Sequence, residues 1–322
     1  MQPNYSHLPP GGYAPPPPRP ISRPPRAGFW RSARLGCCLG VLFFFVGLFS
    51  MGGGGVAYYA AVPPETTNIL ILGADARPGA PGAELARTDS IMVLSVNPRG
   101  QAVSLFSVPR DVFIQSPQYG WLRANTVVRN AELSQPGSGP GAMIAAMENT
   151  FRIEVDHYVR VNFEAFVDVV DAVGGVTVDV PQRIVDNSYP TADYGTMRIE
   201  FAPGEQTLDG ERALIYARTR HGDDDYRRAE RQQQILSALF GELLSPAGVT
   251  RWPAVGIAVQ ENLETSMNGA DMLSIAPGIL LYGNRPSQIE QFVVERAYLR
   301  AGSAGPVPNM SALDPWLDDH LR

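Results

Sequence analysis

A dense group of charged side chains lies between residues 218 and 232, in the stretch RTRHGDDDYRRAERQ. Five arginines and three aspartates occur within these fifteen residues. Packing like charges together costs electrostatic free energy, and a helix start, where three of the arginines are expected, is the end that favours cations least. Because the planar guanidinium matches phosphate oxygens and keeps its charge, the stretch predicts a site for a phosphate-bearing anion.

Aspartates and arginines also occur together where predicted strands begin or end. The three groups are Asp75 with Arg77 in NILILGADARPG, Arg87 with Asp89 in ARTDSIMVL, and Arg110 with Asp111 in SVPRDVF. Ligands of open α/β sheets collect beyond strand ends, so the first and third groups are positioned as binding loops. Asp75 and Asp89 could share one Mg²⁺ (or Mn²⁺), which takes one or two carboxylates and completes its octahedron with water and phosphate oxygens.

Each of these features also has a structural interpretation. A single aspartate at a strand end is more often a turn former or helix cap, and clustered arginines and aspartates more often form surface ion pairs. Asp223, Asp224 and Asp225 are typical of a solvated loop with one helix cap. The combination of inward-facing arginines with two strand-end aspartates is what favours a phosphate site.

The elements that must position these residues alternate between strand and helix patterns. Strands are predicted at 68–73, 90–96, 102–109, 156–163, 176–181 and 213–220, and helices at 141–151, 164–173 and 226–244. Residues 182–212 are polar and turn-rich, DMLSIAPGILLYG is helical in pattern, and IEQFVVERAYL is a strand or an edge element. The predicted fold is α/β, an α-β-α sandwich with a central mixed sheet.

Two of these elements should bring the arginines together. Reading ALIYARTR (213–220) as a strand puts Arg218 and Arg220 on one face, because side chains alternate along a strand. In the helix at 226–244, Arg228 falls within the apolar stripe and Arg231 at its edge. We therefore expect both helix arginines to face inward, towards the pair on the strand.

The first 62 residues carry five arginines and no acidic residue, whereas the remaining 21 basic residues face all 32 acids, a formal charge of −11. Residues 35–62 contain no charged side chain and are apolar enough for one transmembrane helix. The preceding arginines predict a cytoplasmic N-terminus and an extracytoplasmic C-terminal domain at the cell membrane. A cleaved signal peptide is the alternative.

The chain thus divides into four predicted parts. Residues 1–34 are a disordered, proline-rich cytoplasmic tail, 35–62 the anchor, 63–246 the catalytic domain, and 247–322 a C-terminal extension packed on that domain. Both cysteines, Cys37 and Cys38, fall within the anchor, so no disulfide framework is expected outside it. The acidic outer part argues against a nucleic-acid partner, and no Walker, dinucleotide-binding or serine-hydrolase motif is present.

The order and spacing of several blocks resemble the LytR-CpsA-Psr family of membrane-anchored cell-wall enzymes. The blocks run from Asn68 to about Leu244 and include NILILGADAR, RTDSIMVLSVN, SVPRDVF, RANTVVRNAE, DHYVRVNFEAFVDVVDAVGGVTVDV, LDGERALIYARTR and DYRRAERQQQIL. The resemblance implies a phosphotransferase that moves an anionic glycopolymer from a polyprenyl-pyrophosphate carrier to peptidoglycan. It also implies a phosphodiester product and a Mg²⁺ ion held by Asp75 and Asp89.

The same resemblance assigns roles to the charged residues. It implies that phosphate is contacted by Arg87, Arg110, Arg218, Arg220, Arg228 and Arg231. We extend the pyrophosphate site to Arg77 and Gln232, and we predict Arg110, Asp111, Arg218 and Arg220 as the catalytic residues. Whether Asp111 acts as a base or orients arginines stays open, and an apolar slot for the lipid cannot be told from ordinary core by sequence.

Two other functions are compatible with the same residues. A non-catalytic carrier or sensor could hold polyprenyl phosphates with the arginines, and it differs from the enzyme only in lacking turnover. A transcriptional attenuator is the other, although the predicted membrane span and the acidic outer part count against contact with DNA.

Overall fold

The computed structural model describes residues 59–74, 88–191, 195–219, 225–251, 254–256, 263–283 and 286–322. The predicted tail, nearly all of the predicted anchor, and Asp75, Arg77, Arg87 and Arg220 lie outside these ranges. None of the helices within them is both long and apolar enough to cross a membrane.

Fourteen strands and eight α-helices are named here in chain order, within the described ranges. The strands are β1 (Thr67–Ala74), β2 (Thr88–Asn97), β3 (Ala102–Ser107), β4 (Phe113–Ser116), β5 (Gly120–Arg123), β6 (His157–Val161), β7 (Val176–Val180), β8 (Ile184–Pro190), β9 (Thr196–Phe201), β10 (Gly204–Leu208), β11 (Leu263–Thr265), β12 (Ile289–Val293), β13 (Leu299–Ala301) and β14 (Pro306–Pro308). The helices are α1 (Val127–Ser134), α2 (Gly139–Phe151), α3 (Phe163–Val173), α4 (Gly210–Arg218), α5 (Asp225–Leu244), α6 (Pro246–Val249), α7 (Gly269–Tyr282) and α8 (Met310–His320).

A six-stranded mixed sheet, in the order β11-β6-β1-β2-β3-β12, forms the centre of the fold. Its middle strand β1 pairs antiparallel with β2 and parallel with β6. Strand β3 pairs antiparallel with β2 and parallel with β12. The predicted α/β class and central mixed sheet are thereby confirmed.

Alternating side chains divide the sheet between two helical layers. Leu70 and Leu72 of β1 belong to a buried cluster with α1, α2 and α8. Ile69 and its neighbour two residues on, Ile71, face the opposite side, with residues of α5 and α7. Since both faces of the sheet are covered by helices, its strands are apolar runs with little polar alternation.

A third cluster lies beside the sheet and is built from α3, α4, α5 and the paired strands β7–β10 and β8–β9. Three of its strands, β8, β9 and β10, lie within residues 182–212, the stretch that was predicted to be polar and turn-rich. The cluster fixes the position of α4 against α5, which matters because both helices carry candidate arginines.

Residues 247–322, predicted as an extension packed on the catalytic domain, are part of the central sheet. They supply both of its edge strands, β11 and β12. Helix α7 covers one face and α8 the other. The three-layered core therefore continues past residue 246.

The prediction of a strand at 213–220 is wrong, because residues 210–218 form helix α4. Its buried residues are Gly210, Ala213, Tyr216 and Ala217, which follow helical spacing, and the side chain of Asp209 accepts a hydrogen bond from the Arg212 amide as an N-cap. The alternation of Leu214, Tyr216 and Arg218 that suggested a strand was coincidental. Arg218 instead occupies the last turn of a helix, where a cation is favoured.

Removal of this cap tests the corrected element. We expect Asp209→Ala to lower the free energy of unfolding by about 1 kcal/mol, because the first turn of α4 loses its side-chain acceptor. Glu205→Ala, at an exposed position on β10, is the control and should change it by less than about 0.5 kcal/mol. Equal changes in the two variants, measured by urea denaturation, would argue against the cap.

Candidate active site

A cavity of about 840 Å³ lies between the central sheet and helices α3, α5 and α7. Most of its wall is apolar. The sheet contributes Ile69, Ile71, Met92, Leu94, Val159 and Val161, and the helices contribute Phe166, Val169, Leu236, Leu239, Phe240, Met272, Ile275 and Ile279. A space of this size, walled by aliphatic side chains, suits a long hydrocarbon ligand better than a small polar one.

Charged and polar side chains gather at one part of this cavity. Asp89, Arg110, Arg218, Arg228 and Gln232 all line it. Arg110 reaches Asp89 with one guanidinium nitrogen, Nη1, which lies 3.1 and 3.2 Å from the two carboxylate oxygens. The loop after β3 is thereby fastened to the start of β2.

Arg228 on α5 contacts the same strand start. Its side chain is only 3% exposed, and its Nη2 donates to the main-chain carbonyl of Asp89 over 3.1 Å. The inward orientation expected from the helical period is thus present. Arg228 approaches Asp89 through the backbone, whereas Arg110 approaches it through the carboxylate.

Arg218 enters the cavity from the end of α4. Its Cζ lies 4.0 Å from the centroid of the Phe163 ring, and its Nη1 donates to the Tyr189 hydroxyl over 3.3 Å. A guanidinium over an aromatic face is attracted by the ring quadrupole. These contacts position the guanidinium at the polar part of the cavity.

Gln232 connects strand β2 to helix α4 at the polar part of the cavity. Its Oε1 accepts from Ser90 Oγ at 2.8 Å, and its Nε2 donates to the Ala217 carbonyl at 3.3 Å. Ser90 follows Asp89 in sequence and Ala217 precedes Arg218. The side-chain amide of Gln232 therefore holds β2, which carries Asp89, against α4, which carries Arg218.

Arg231 lies away from the cavity lining. It is 6% exposed, and it donates from Nε to the Tyr216 carbonyl over 3.1 Å and from Nη2 to the Thr219 carbonyl over 2.5 Å. These carbonyls belong to the end of α4, where main-chain acceptors need partners outside the helix. The contacts indicate that Arg231 positions Arg218.

A stability measurement distinguishes Arg231 from the lining arginines. We expect Arg231→Met to lower the free energy of unfolding by about 2–3 kcal/mol, because buried carbonyls lose charged donors. Arg227→Met on the same helix is the control, since Arg227 pairs with Glu230 at an exposed position and such pairs contribute at most about 1 kcal/mol. A loss for Arg231→Met no larger than for the control would refute its positioning role.

The family model that matches this chain is that of the LytR_cpsA_psr family, over residues 60–304. The chain belongs to this family. The match covers all six strands of the central sheet, helices α1 to α7 and the cavity, and it extends past residue 246.

Two curated relatives of this LytR_cpsA_psr chain are named polyisoprenyl-teichoic acid–peptidoglycan teichoic acid transferases. TagU of Oceanobacillus iheyensis is 32% identical over 206 residues, which are 63% of this chain and 60% of TagU. TagV of Bacillus subtilis is 34% identical over 191 residues, or 59% of this chain and 47% of TagV. The chain thus matches between about half and three fifths of the length of these relatives.

Solved structures share the fold. The crystal structure of B. subtilis TagV has a TM-score of 0.62 and 27% identity, covering 79% of this chain and 95% of the chain in that crystal structure. A structure of TagT bound to LIIa-WTA has a TM-score of 0.59 and 25% identity, covering 79% of this chain and 91% of the chain in that structure. The sandwich described above is therefore a fold that solved members of the family adopt.

Several predicted site residues of this LytR_cpsA_psr chain have no described position: Asp75, Arg77, Arg87 and Arg220. Strand β1 ends at Ala74, whose partner on β2 is Thr88. The residues that follow this pair in the chain are Asp75 and Asp89 respectively. Asp89 lies at the register shift of this ladder, because Ser90 on its other side pairs with Gly73, whereas Asp75 follows the last paired residue of β1.

Asp111 lies outside the cavity lining, at the exposed edge of the polar group. Its Oδ2 is 3.6 Å from Arg110 Nε, and its Oδ1 is 3.7 Å from Arg123 Nη1. The carboxylate of Asp111 therefore lies between the guanidiniums of Arg110 and Arg123. It is linked to Asp89 through Arg110.

Sequence reasoning missed four cavity-lining residues near the arginines. They are Asn162, Phe163, Asp186 and Tyr189. Asp186 is buried and accepts hydrogen bonds from Thr219 Oγ1 and the Ser188 amide. Asp186 and Tyr189 lie in the stretch predicted to be turn-rich, so no periodic pattern indicated them. Asn162 is the N-cap of α3, and an asparagine just before a helical pattern is a sequence signal for that position.

The donor chemistry of Asp89 fits a hard divalent cation. Its carboxylate oxygens lie at the polar part of the cavity, and the side chain is 23% exposed. Among the residues the structure describes, no three His, Cys, Asp or Glu side chains gather as a metal site. A magnesium ion with one or two carboxylates, water and phosphate oxygens as ligands needs no such gathering.

Proposed function

We propose that this protein is a phosphotransferase that moves an anionic glycopolymer from a polyprenyl-pyrophosphate carrier to peptidoglycan and forms a phosphodiester. The observation that carries the proposal is one cavity that joins a long apolar wall to a group of arginines. The two parts match the two parts of the donor, since the prenyl chain is apolar and the pyrophosphate is anionic. Names of the curated relatives, which describe transfer of teichoic acid to peptidoglycan, support the same reaction.

The arginines bind the pyrophosphate and stabilise charge that develops on it. Arg218 and Arg228 present planar donors that suit phosphate oxygens, and they are held by Tyr189, Phe163 and the Asp89 carbonyl. Donors that are already positioned need not reorganise when the reaction occurs, which makes them more effective than water. The apolar wall holds the prenyl chain and keeps bulk water from the phosphates.

Transfer forms one bond and breaks one. The acceptor hydroxyl oxygen attacks the phosphorus that carries the glycan, and the bond from that phosphorus to the bridging oxygen breaks, so polyprenyl phosphate leaves. The hydroxyl proton needs an acceptor. Asp111 is the candidate base, because its carboxylate is 45% exposed and adjoins the arginine group.

The proposal includes a Mg²⁺ (or Mn²⁺) ion held by Asp75 and Asp89. When bound, such an ion would offset negative charge on the phosphoryl oxygens during transfer. Arg110, which pairs with Asp89, holds the carboxylate in place. Two observations support the metal ion. The Asp89 carboxylate offers oxygen ligands at the cavity, and β1, which Asp75 follows in the chain, ends beside the start of β2.

We further propose that residues 35–62 anchor the chain in the cell membrane, with residues 1–34 in the cytoplasm and the folded part outside. The uncharged run at 35–62 and the arginines before it support this arrangement. An anchored enzyme would meet its lipid donor and the cell wall on the same side.

Reconstitution tests the function directly. The full-length chain in detergent micelles is incubated with a lipid-pyrophosphate-linked glycan, uncrosslinked peptidoglycan strands and Mg²⁺, and phosphodiester-linked product is measured by mass spectrometry. We expect product that depends on both substrates. Tight donor binding without product under any acceptor condition would support the carrier instead.

A further inference from the structure

The antiparallel ribbon of β4 and β5 has one face in the core and one in solvent. Ile114 is fully buried, and Leu122, its partner across the ribbon, packs on the same core cluster. On the other face, Phe113 lies opposite Arg123, and Gln115 lies opposite Trp121. Since side chains alternate along a strand, Trp121 and Arg123 share the outer face.

Trp121 is 40% exposed, and it is the one aromatic among the large hydrophobic side chains that are exposed in the described part of the chain. Single exposed apolar residues are common in soluble proteins. What distinguishes Trp121 is its position on the ribbon, two residues from Arg123. An indole held on a paired strand offers a flat apolar face with a defined orientation.

A series of ion pairs joins this face to the candidate active site. Arg123 lies 3.7 Å from Asp111, Asp111 lies 3.6 Å from Arg110, and Arg110 lies 3.1 Å from Asp89. Side-chain exposure is 59% at Arg123 and 45% at Asp111, and it is lower at the cavity, with 21% at Arg110 and 23% at Asp89. The series leads from solvent to the cavity.

The indole of Trp121 lies next to Arg123 on β5, beyond the solvent end of this series of ion pairs. Trp121 and Arg123 are two residues apart on a strand, so their Cα atoms are about 7 Å apart. Arg123 also lies 6.0 Å over the Phe113 ring, which limits the directions its guanidinium can take. A polymer lying on this face would contact the indole with one unit and reach Asp111 with a neighbouring unit.

We infer that the outer face of the β4–β5 ribbon binds the acceptor glycan strand, with Trp121 stacking on a sugar ring and Arg123 pairing with a carboxylate of the polymer. The inference rests on the proposed function for its choice of occupant. Pyranose rings present C–H groups on their faces, which suit a flat apolar surface, and peptidoglycan carries carboxylates that suit a guanidinium. The bound strand would present a hydroxyl beside Asp111.

Kinetics at varied acceptor concentration test this surface. The full-length Trp121→Ala variant, with saturating donor, is expected to raise KM for uncrosslinked peptidoglycan strands about tenfold and to leave kcat and the donor KM unchanged. Trp121→Phe should keep KM within about threefold, since a ring remains. Leu133→Ala, which removes another exposed apolar side chain, is the matched control and should behave as the parent chain.

Two results would overturn the inference: an unchanged acceptor KM in Trp121→Ala, or an equal rise in Leu133→Ala. A binding measurement separates its failure from failure of the proposed function. Without donor lipid, the parent chain should sediment with purified peptidoglycan and Trp121→Ala should sediment several-fold less. That difference would support acceptor binding by this surface even if the parent chain made no product. Normal transfer with equal sedimentation of both chains would refute acceptor binding by this surface and leave the proposed function intact.

Discussion

Replacement of Arg218 by alanine is expected to lower kcat/KM for glycopolymer transfer roughly 10²- to 10³-fold, with little change in the free energy of unfolding. The guanidinium lies in the cavity against Phe163 and Tyr189, where it can meet charge on the phosphates. Arg218→Lys should recover only part of the activity, because an ammonium keeps the charge but lacks the planar fork. Initial rates at low donor concentration measure the effect.

Arg227→Ala is the matched control for Arg218→Ala. Arg227 belongs to the same charged stretch, but it is exposed and pairs with Glu230 at 3.0 Å. We expect its removal to change the rate by less than about twofold, since exposed pairs contribute little. A similar loss in both variants would mean that the overall charge of the stretch matters, and would contradict a specific phosphate contact by Arg218.

Replacement of Ile71 by tryptophan should weaken donor binding while the protein stays folded. Ile71 faces the cavity from the middle of the sheet, so an indole there occupies space that the prenyl chain needs. Each excluded CH₂ forfeits about 0.8 kcal/mol, and two or three of them weaken donor affinity roughly 10- to 50-fold. Affinity for a polyprenyl pyrophosphate and the midpoint of thermal unfolding are the measurements.

Leu70→Phe gives the comparison for Ile71→Trp. Leu70 is the neighbouring residue on β1, is fully buried, and packs in the cluster on the opposite face of the sheet. Adding bulk there should lower the free energy of unfolding by about 1–3 kcal/mol and leave donor affinity of the folded fraction unchanged. If Ile71→Trp destabilises as strongly as Leu70→Phe, the space beside Ile71 is ordinary core.

The sequence pattern predicted the elements whose period is sustained. Runs such as NILILG and SIMVLSV are strands, and the helix carrying Arg228 and Arg231 runs from Asp225 to Leu244. The inward positions of these two arginines follow from the same period, because both are nearly buried. Long periodic segments are specified locally, so their types can be predicted without the tertiary structure.

Features that depend on tertiary contacts could not be predicted. The short helix α4 has an alternation that mimics a strand, and only its packing with α3 and α5 shows that Ala213 and Tyr216 are its buried residues. Arg228 and Arg231 have similar local patterns, but one lines the cavity and the other holds α4 carbonyls. The cavity is lined by the same aliphatic residue types as a closed core, so only the packing of the folded chain shows that the space between them is open.

The electrostatic cost of the charged stretch at 218–232 is offset by contacts within the fold. Helix-start arginines are costly when unpaired, but Arg228 donates to the carbonyl of Asp89 and Arg231 donates to carbonyls at the end of α4. Backbone acceptors thus hold these guanidiniums in position. Arg218, at the end of the neighbouring helix α4, is positioned by its contacts with Phe163 and Tyr189.

A crystal structure of the chain with bound polyprenyl pyrophosphate and Mg²⁺ would show whether the cavity and its arginines hold the donor. We expect pyrophosphate oxygens about 3 Å from the guanidinium nitrogens of Arg218 and Arg228, with the prenyl chain running through the cavity past Ile71. A prenyl chain lying outside this cavity, or a pyrophosphate held without either arginine, would contradict it.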